Sequence, residues 1–245
     1  MRGSQQLSQF TKTHTQIHDL HWKDIHRELD TVGYARIQNF LDIEACNSLK
    51  NSYTSDALYR STIKMERYSF GRGEYRYYDY PLPSIINELR RNLFPYLVDI
   101  ANSWNLRLKN KEYFPSNHLD YINDCHENGQ TRPTPLILKY KENDFNCLHQ
   151  DLYGEIVFPL QAAILLDEPS VDFDGGEFIL TEQRPRMQSR VEVVPLNMGD
   201  MVIFPVNERP IEGTRSNYRV KMRHGVSRVR SGNRHTLGII FHDAK

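Results

Sequence analysis

The chain has 245 residues, 39% hydrophobic and 25% charged, with 31 basic residues against 31 acidic ones and a sequence pI of about 7.2. This length suits one domain with a sizeable core, with or without a helical extension, and leaves two full domains cramped. A zero formal net charge gives no global reason to expect nucleic acid, and the lack of a long apolar run excludes a membrane-spanning helix.

The charge is unevenly spread. Asp151 to Glu182 carries acids and no Lys or Arg, whereas Arg209, Arg215, Arg219, Lys221, Arg223, Arg228, Arg230 and Arg234 crowd the C-terminal part. Met1 to Thr15 is polar and unlike a secretory signal. Cys46, Cys125 and Cys147 are odd in number and widely spaced, which indicates neither a disulfide framework nor a zinc ribbon and points to a reducing, cytoplasmic setting. A zinc site from Cys125, His126, Cys147 and His149 matches no common spacing. Cys147 reads instead as a small buried hydrophobe.

In chain order, Ile17 to Leu29 has helical spacing, Tyr34 to Ile37 reads as a short strand, and Asp42 is positioned to cap a helix carrying Ala45, Cys46 and Leu49. Arg67 to Tyr80 alternates Tyr with Arg and Asp. It is too polar for a core and too aromatic for a linker, so it is expected to form a lid in which Arg72, Tyr75 and Tyr77 meet the substrate. Packing of Tyr75, Tyr77 and Tyr78 against the sheet is the competing account. Ser84 to Trp104 resumes a helical pattern, with a kink expected at Pro95. From Thr134 the texture becomes that of short strands between turn formers: Leu136 to Tyr140, Val157 to Leu166, Glu177 to Leu180, Val191 to Val194, Met201 to Pro205, Tyr218 to Met222 and Thr236 to Phe241. Arg184, Arg186 and Arg190 between them read as a solvated loop.

Within this region His149-Gln150-Asp151 would place an imidazole and a carboxylate on one side of a strand. His224 supplies a second imidazole. Two His and one carboxylate leave three positions of an octahedral ion open, the arrangement of non-haem Fe(II) oxygenases, and Arg234 supplies what a dicarboxylate co-substrate needs. A second triplet, His118-Leu119-Asp120, has the same spacing but lies in a stretch that reads as helix or loop, where residues two apart do not face each other in a helix.

From about Gln130 to Asp243 the chain resembles the Fe(II)/2-oxoglutarate-dependent dioxygenases. The likeness rests on Tyr140 upstream of His149-Gln150-Asp151, Gly175-Gly176-Glu177-Phe178, Gly199-Asp200, Arg223-His224-Gly225-Val226 and Arg234-His235-Thr236. TRPTPLILKY, HQDLYGE, FPLQAAILL, LTEQRPRMQSR and RHTLGIIFHDA look more closely like a bacterial group related to the AlkB nucleic-acid dealkylases. The resemblance implies that His149, Asp151 and His224 bind Fe(II), that Arg234 with Thr236 and Tyr140 binds 2-oxoglutarate, and that O2 is the oxidant. It also implies hydroxylation or oxidative demethylation of a substrate C–H bond with release of succinate and CO2. AlkB-type proteins carry a second Arg six residues after the first, and here that position is Ile240.

The fold expected is mainly β with flanking helices around a double-stranded β-helix, or jelly-roll, core. Residues 1–130 would form a helical buttress and substrate lid, and residues 131–245 the catalytic core, as one integrated domain. The substrate classes left open are an alkylated nucleic acid, an amino acid or peptide, and a small metabolite. The non-enzymatic alternative is a cupin-like metal- or ligand-binding sensor. Oligomeric state is not legible.

Overall fold

The computed structural model describes residues 16–245, so the polar opening stretch lies outside the described residues. Among the described residues the α-helices with both ends described are Trp22–Thr31 (α1), Ile43–Ser52 (α2), Ser84–Leu108 (α3) and His118–Glu127 (α4). The first strands are Ala35–Ile37 (β1), Tyr59–Lys64 (β2), Gly71–Arg72 (β3), Glu74–Tyr78 (β4), Leu136–Lys141 (β5), Phe145–His149 (β6) and Leu160–Leu165 (β7). Phe173–Gly175 (β8), Phe178–Gln183 (β9), Arg190–Val194 (β10), Met201–Pro205 (β11), Glu208–Glu212 (β12), Asn217–Val226 (β13) and Val229–Ile239 (β14) follow.

The strands form two antiparallel sheets of jelly-roll type. The larger runs β1-β11-β7-β14-β5-β4-β2, with β8 paired to β14; the smaller runs β10-β9-β13-β6-β3, with β12 paired to β13. Alternation decides where each side chain goes. On β7, Ala163 and Leu165 join Phe178, Leu180, Val202 and Phe204 in the core between the sheets. Ala162 and Ile164 point the other way, into a second core with Leu93, Phe94 and Leu97 of α3. A strand buried on both faces reads as a continuous apolar run, and β7 and β11 do so.

The helices cover the outer face of the larger sheet. Asp42 accepts a hydrogen bond from Ala45 N at 2.9 Å, capping α2 as its sequence predicts. Residues 16–18 are already helical, but a turn closed by Leu20 N donating to Ile17 O separates them from α1, so the helical pattern from Ile17 to Leu29 is interrupted before Trp22. α3 runs through Pro95 and four residues past Trp104, and ends on Lys109 in the left-handed conformation at φ 58°. At its back Arg90, buried to 1% exposure, donates to the carbonyls of Ile240 and Phe241 and to Asp243. That network ties the helix to the C-terminal end of the chain. Among the described residues no helix is long and apolar enough to cross a membrane.

The segment expected to form a lid is organised differently. Residues 74–78 are β4, paired with β5 on one side and β2 on the other. Its alternating sequence is that of a strand with two aromatic faces. Tyr75 and Tyr77 look toward the inner side, while Arg76 and Tyr78 pack with Tyr53 and Tyr59 on the other. β13 and β14 also extend beyond the spans their apolar residues mark, because their outer positions hold Arg219, Arg223, Arg230 and Asn233.

Candidate active site

β6 ends at His149, and Asp151 stands in the loop beyond it rather than on a shared strand. His224 on β13 is the direct cross-strand partner of His149. The three residues offer ligand atoms that all lie within 4.8 Å of one another. Asp151 sits between the imidazoles: its Oδ1 is 3.4 Å from His149 Nε2 and its Oδ2 is 3.2 Å from His224 Nε2.

Each side chain is held from behind. His149 Nδ1 donates to the Cys147 carbonyl at 2.8 Å, which assigns the proton to Nδ1 and leaves the Nε2 lone pair facing inward. The Tyr153 hydroxyl donates to Asp151 Oδ1 at 2.6 Å. Burial drives the Tyr153 phenol well above its usual pKa, and the Asp151 charge adds to this, so it stays a donor. Burial alone would raise the Asp151 carboxyl, but the flanking imidazoles, His224 first, hold it well below the usual carboxylate range. Burial lowers His224. At His149 burial acts in the same direction but is outweighed by the hydrogen bond to Asp151, and its pKa is raised. A neutral imidazole and an ionised carboxylate are the forms that ligate a cation.

Arg234 lines the same cavity, whose volume is about 180 Å³. It is 1% exposed. One terminal nitrogen donates to Thr236 Oγ1 at 2.6 Å, the Nε is buried without a partner, and the rings of Tyr140 and Phe173 each lie 5.7 Å from the guanidinium. Among the described residues no carboxylate pairs with it. A buried guanidinium without a counter-ion costs several kcal/mol, so such a group is retained where an anion will meet it. Gly176 makes room for it: a Cβ there would stand 2.9 Å from Arg234 Cδ, and its φ of 60° is in the left-handed region. Tyr140 is fully buried and its hydroxyl accepts from Asn146 Nδ2 at 3.3 Å. The donor set of two imidazoles and one carboxylate fits Fe(II), and the orphaned Arg234 fits the distal carboxylate of a 2-oxo diacid.

Other expected residues fall elsewhere. Arg72 lies outside the cavity, exposed, with its Nε on Glu66 at 2.8 Å. Tyr75 lines the cavity, and Tyr77 stands behind it, edge-on to both Tyr75 and Tyr153 at 5.3 and 6.2 Å. Cys147 is exposed rather than buried, because β6 lies toward the rim of the smaller sheet between β13 and the two-residue β3. Cys125 is buried in the helix-side core, so the zinc alternative is not assembled. His118 begins α4 and bonds the Phe241 carbonyl at 2.9 Å; burial brings its pKa down to about 3. Arg184 pairs with Glu182 at 2.8 Å. Sequence reasoning missed Phe70, Tyr153 and Gln161, all of which line the cavity. Tyr153 could have been found, since it repeats at Asp151 the two-residue spacing that separates Asp151 from His149.

Residues 73–244 match a family model described as "Oxygenase, catalysing oxidative methylation of damaged DNA". An uncharacterized protein of Mycobacterium tuberculosis is 47% identical over 164 residues, covering 67% of this chain and 70% of that protein. Among solved structures, a 2OG-Fe(II) oxygenase-family oxidoreductase from Burkholderia pseudomallei superposes with a TM-score of 0.53 at 15% identity, covering 92% of this chain and 93% of that one. A prolyl hydroxylase from Trichoplax adhaerens, solved with a hypoxia-inducible-factor peptide fragment, gives 0.52 at 17% identity over 96% and 92% of the two chains. At these identities the structural likeness speaks for the fold.

Proposed function

Since the chain belongs to the family of oxygenases described as acting on damaged DNA, we propose that this Fe(II)- and 2-oxoglutarate-dependent enzyme oxidises an alkylated nucleobase, removing a methyl group as formaldehyde. The observation that carries the reading is the buried, unpaired Arg234 in one cavity with the His149, Asp151 and His224 triad. On this reading His149, Asp151 and His224 hold the iron, and Arg234 holds the distal carboxylate of 2-oxoglutarate. Iron, 2-oxoglutarate and O2 together supply oxidation of a C–H bond, with release of succinate and CO2.

The remaining work belongs to the chain's own groups. Thr236 accepts from Arg234 and so steers the guanidinium fork toward the diacid. Tyr140 walls that end of the cavity, and its hydroxyl, bonded by Asn146, offers the diacid one more contact. Tyr153 keeps Asp151 in one orientation, which metal ligands need from the groups behind them. Leu136, Leu138, Ile240, Phe178 and Phe204 make the cavity wall apolar and exclude water. Phe70, 47% exposed, and Tyr75 offer flat surfaces at the site, suited to a planar ring.

The test is to supply Fe(II), ascorbate and 2-oxoglutarate with methylated oligonucleotides or with peptides, and to follow succinate and formaldehyde. Formaldehyde and succinate in equal amounts from a methylated oligonucleotide support the proposal. Succinate formation stimulated by a peptide and by no methylated oligonucleotide would move the protein to the hydroxylases.

A further inference from the structure

Gln161 is the polar group of the cavity that the reading above leaves without work. It lies on β7, is 3% exposed, and has Phe204 of β11 as its cross-strand partner. Its Oε1 is buried with no hydrogen-bond partner, and its Nε2 rests 3.3 Å from His224 Nε2. On the proposed assignment that imidazole lone pair belongs to the iron, so the whole carboxamide is unspent when the metal is bound. The other amides of the cavity are committed. Gln150 Nε2 donates to the carbonyls of Asn207 and Met222 at 3.2 and 2.8 Å, and Asn146 Nδ2 donates to Tyr140.

Register places Gln161 at the end of the cavity away from the co-substrate anchor. Ala162 pairs with Ile239 of β14, so its neighbour Gln161 lies beside Ile240. Arg234, Thr236, Gly238 and Ile240 all line the cavity, alternate residues facing inward. Six residues of extended chain span about 20 Å between the α-carbons of Arg234 and Ile240. A diacid held at Arg234 would approach Gln161 only with its metal-binding end, since Gln161 Nε2 lies 3.3 Å from His224 Nε2, and its affinity therefore has to be measured separately from that of the base.

We infer that Gln161 reads the hydrogen-bonding edge of the target base, pairing its N–H and C=O with an adjacent acceptor and donor on the ring. This rests on the oxygenase reading above and names the residue that gives it base specificity. A carboxamide makes two such bonds at once only to groups on the same side, as on the amidine or lactam edge of a nucleobase. A buried amide left unpaired by the wrong base carries a penalty, which is what turns a contact into discrimination.

The test uses the full chain with Fe(II) and 2-oxoglutarate under anaerobic conditions. Gln161→Met keeps the side-chain length without the amide, and Gln161→Asn withdraws the amide by one methylene. Titration of the visible band of the iron-bound 2-oxo acid reads co-substrate affinity. Fluorescence anisotropy of single-stranded oligonucleotides carrying one methylated A, C, G or T reads base affinity, and formaldehyde release in air reads kcat/KM.

The expected result is unchanged 2-oxoglutarate affinity, with affinity and kcat/KM for the preferred base reduced about 5- to 150-fold and the preference among bases levelled. Unaltered base preference in both variants would overturn the inference. So would a parallel fall in 2-oxoglutarate affinity, which would put the amide on the co-substrate. Failure of the underlying reading shows earlier and separately, as wild-type protein that binds methylated and unmethylated oligonucleotides alike and releases no formaldehyde.

Discussion

Replacing Arg234 with leucine separates the co-substrate site from the metal site, and the structure gives the size of both effects. Arg234 has a terminal nitrogen on Thr236 and an unpartnered Nε, and is 1% exposed. A diacid carboxylate would therefore gain two charge-assisted hydrogen bonds, at about 1.5 to 3 kcal/mol each. Losing both costs about 3 to 6 kcal/mol, or roughly a hundred-fold to a few ten-thousand-fold in 2-oxoglutarate affinity. Without ligands the sign reverses. The wild-type protein folds around a desolvated, unpaired cation, and burial lowers its pKa. Leucine removes that penalty, so the ligand-free variant should melt no lower than wild type and up to a few degrees higher, at about 2 to 4 °C per kcal/mol for a chain of this size. Calorimetric titration with 2-oxoglutarate, alongside thermal melts with and without it, measures both. Undiminished 2-oxoglutarate affinity would refute the anion role. A ligand-free melt several degrees lower would make Arg234 a structural residue.

Asp151→Ala should abolish stoichiometric Fe(II) binding, read by metal analysis after desalting, because three protein ligands leave no spare. Asp120→Ala and His118→Ala should bind iron as wild type does, and His118→Ala should also melt lower, since its imidazole is buried on the Phe241 carbonyl. Tyr153→Phe removes the hydroxyl on Asp151 and should weaken Fe(II) about 10- to 100-fold with the fold intact; equal metal affinity would show that the hydroxyl does not orient the ligand. His118 also sets a pH limit. Its pKa is about 3 in the folded protein against about 6.5 unfolded, so the unfolded chain binds the extra proton between these values. Its contribution is complete above about pH 6.5 and is lost as pH falls toward about 3. Urea titrations from pH 7 to pH 4 should show stability falling in that window, and His118→Gln should flatten the slope.

The parts of the fold legible in the sequence are those where burial acts on both faces of an element. Met201–Pro205 was readable to the residue because every side chain of β11 is buried. β2 and β4 were not, because one face of each meets tyrosines and arginines rather than aliphatics, and alternation of two amphipathic types looks like surface. His149, Asp151 and His224 do converge, but the local geometry is not the one that singled them out. The strand ends at His149, and Asp151 is held from a loop by Tyr153. Cys147 misleads for the same reason: a residue at the rim of a sheet has a solvent face that its own identity does not announce. Gln161 was hidden inside the apolar run Leu160 to Leu165, where periodicity says only that the strand is buried.

The inward face of β14 carries both ends of the proposed site, and its sequence bears on what the site accepts. On the proposed assignment the two positive charges of iron and the one of Arg234 are matched by 2-oxoglutarate and Asp151, so the loaded cavity is neutral. Position 240, where AlkB-type proteins have a second arginine, holds isoleucine, 2% exposed and packed with Tyr77 and Leu136. A cation there would leave uncompensated charge in an apolar wall, at a cost of several kcal/mol. With Ile240 the substrate end has no charge to offer, and a ligand that brings one must lose its hydration without repayment. Recognition at this end then falls to neutral groups, with the unspent amide of Gln161 the polar one among them. The loaded enzyme should therefore turn over neutral methylated bases ahead of cationic ones. Side-by-side kcat/KM values for a neutral and a cationic methyl lesion in the same oligonucleotide would decide it, and faster turnover of the cationic lesion would refute the reasoning from Ile240.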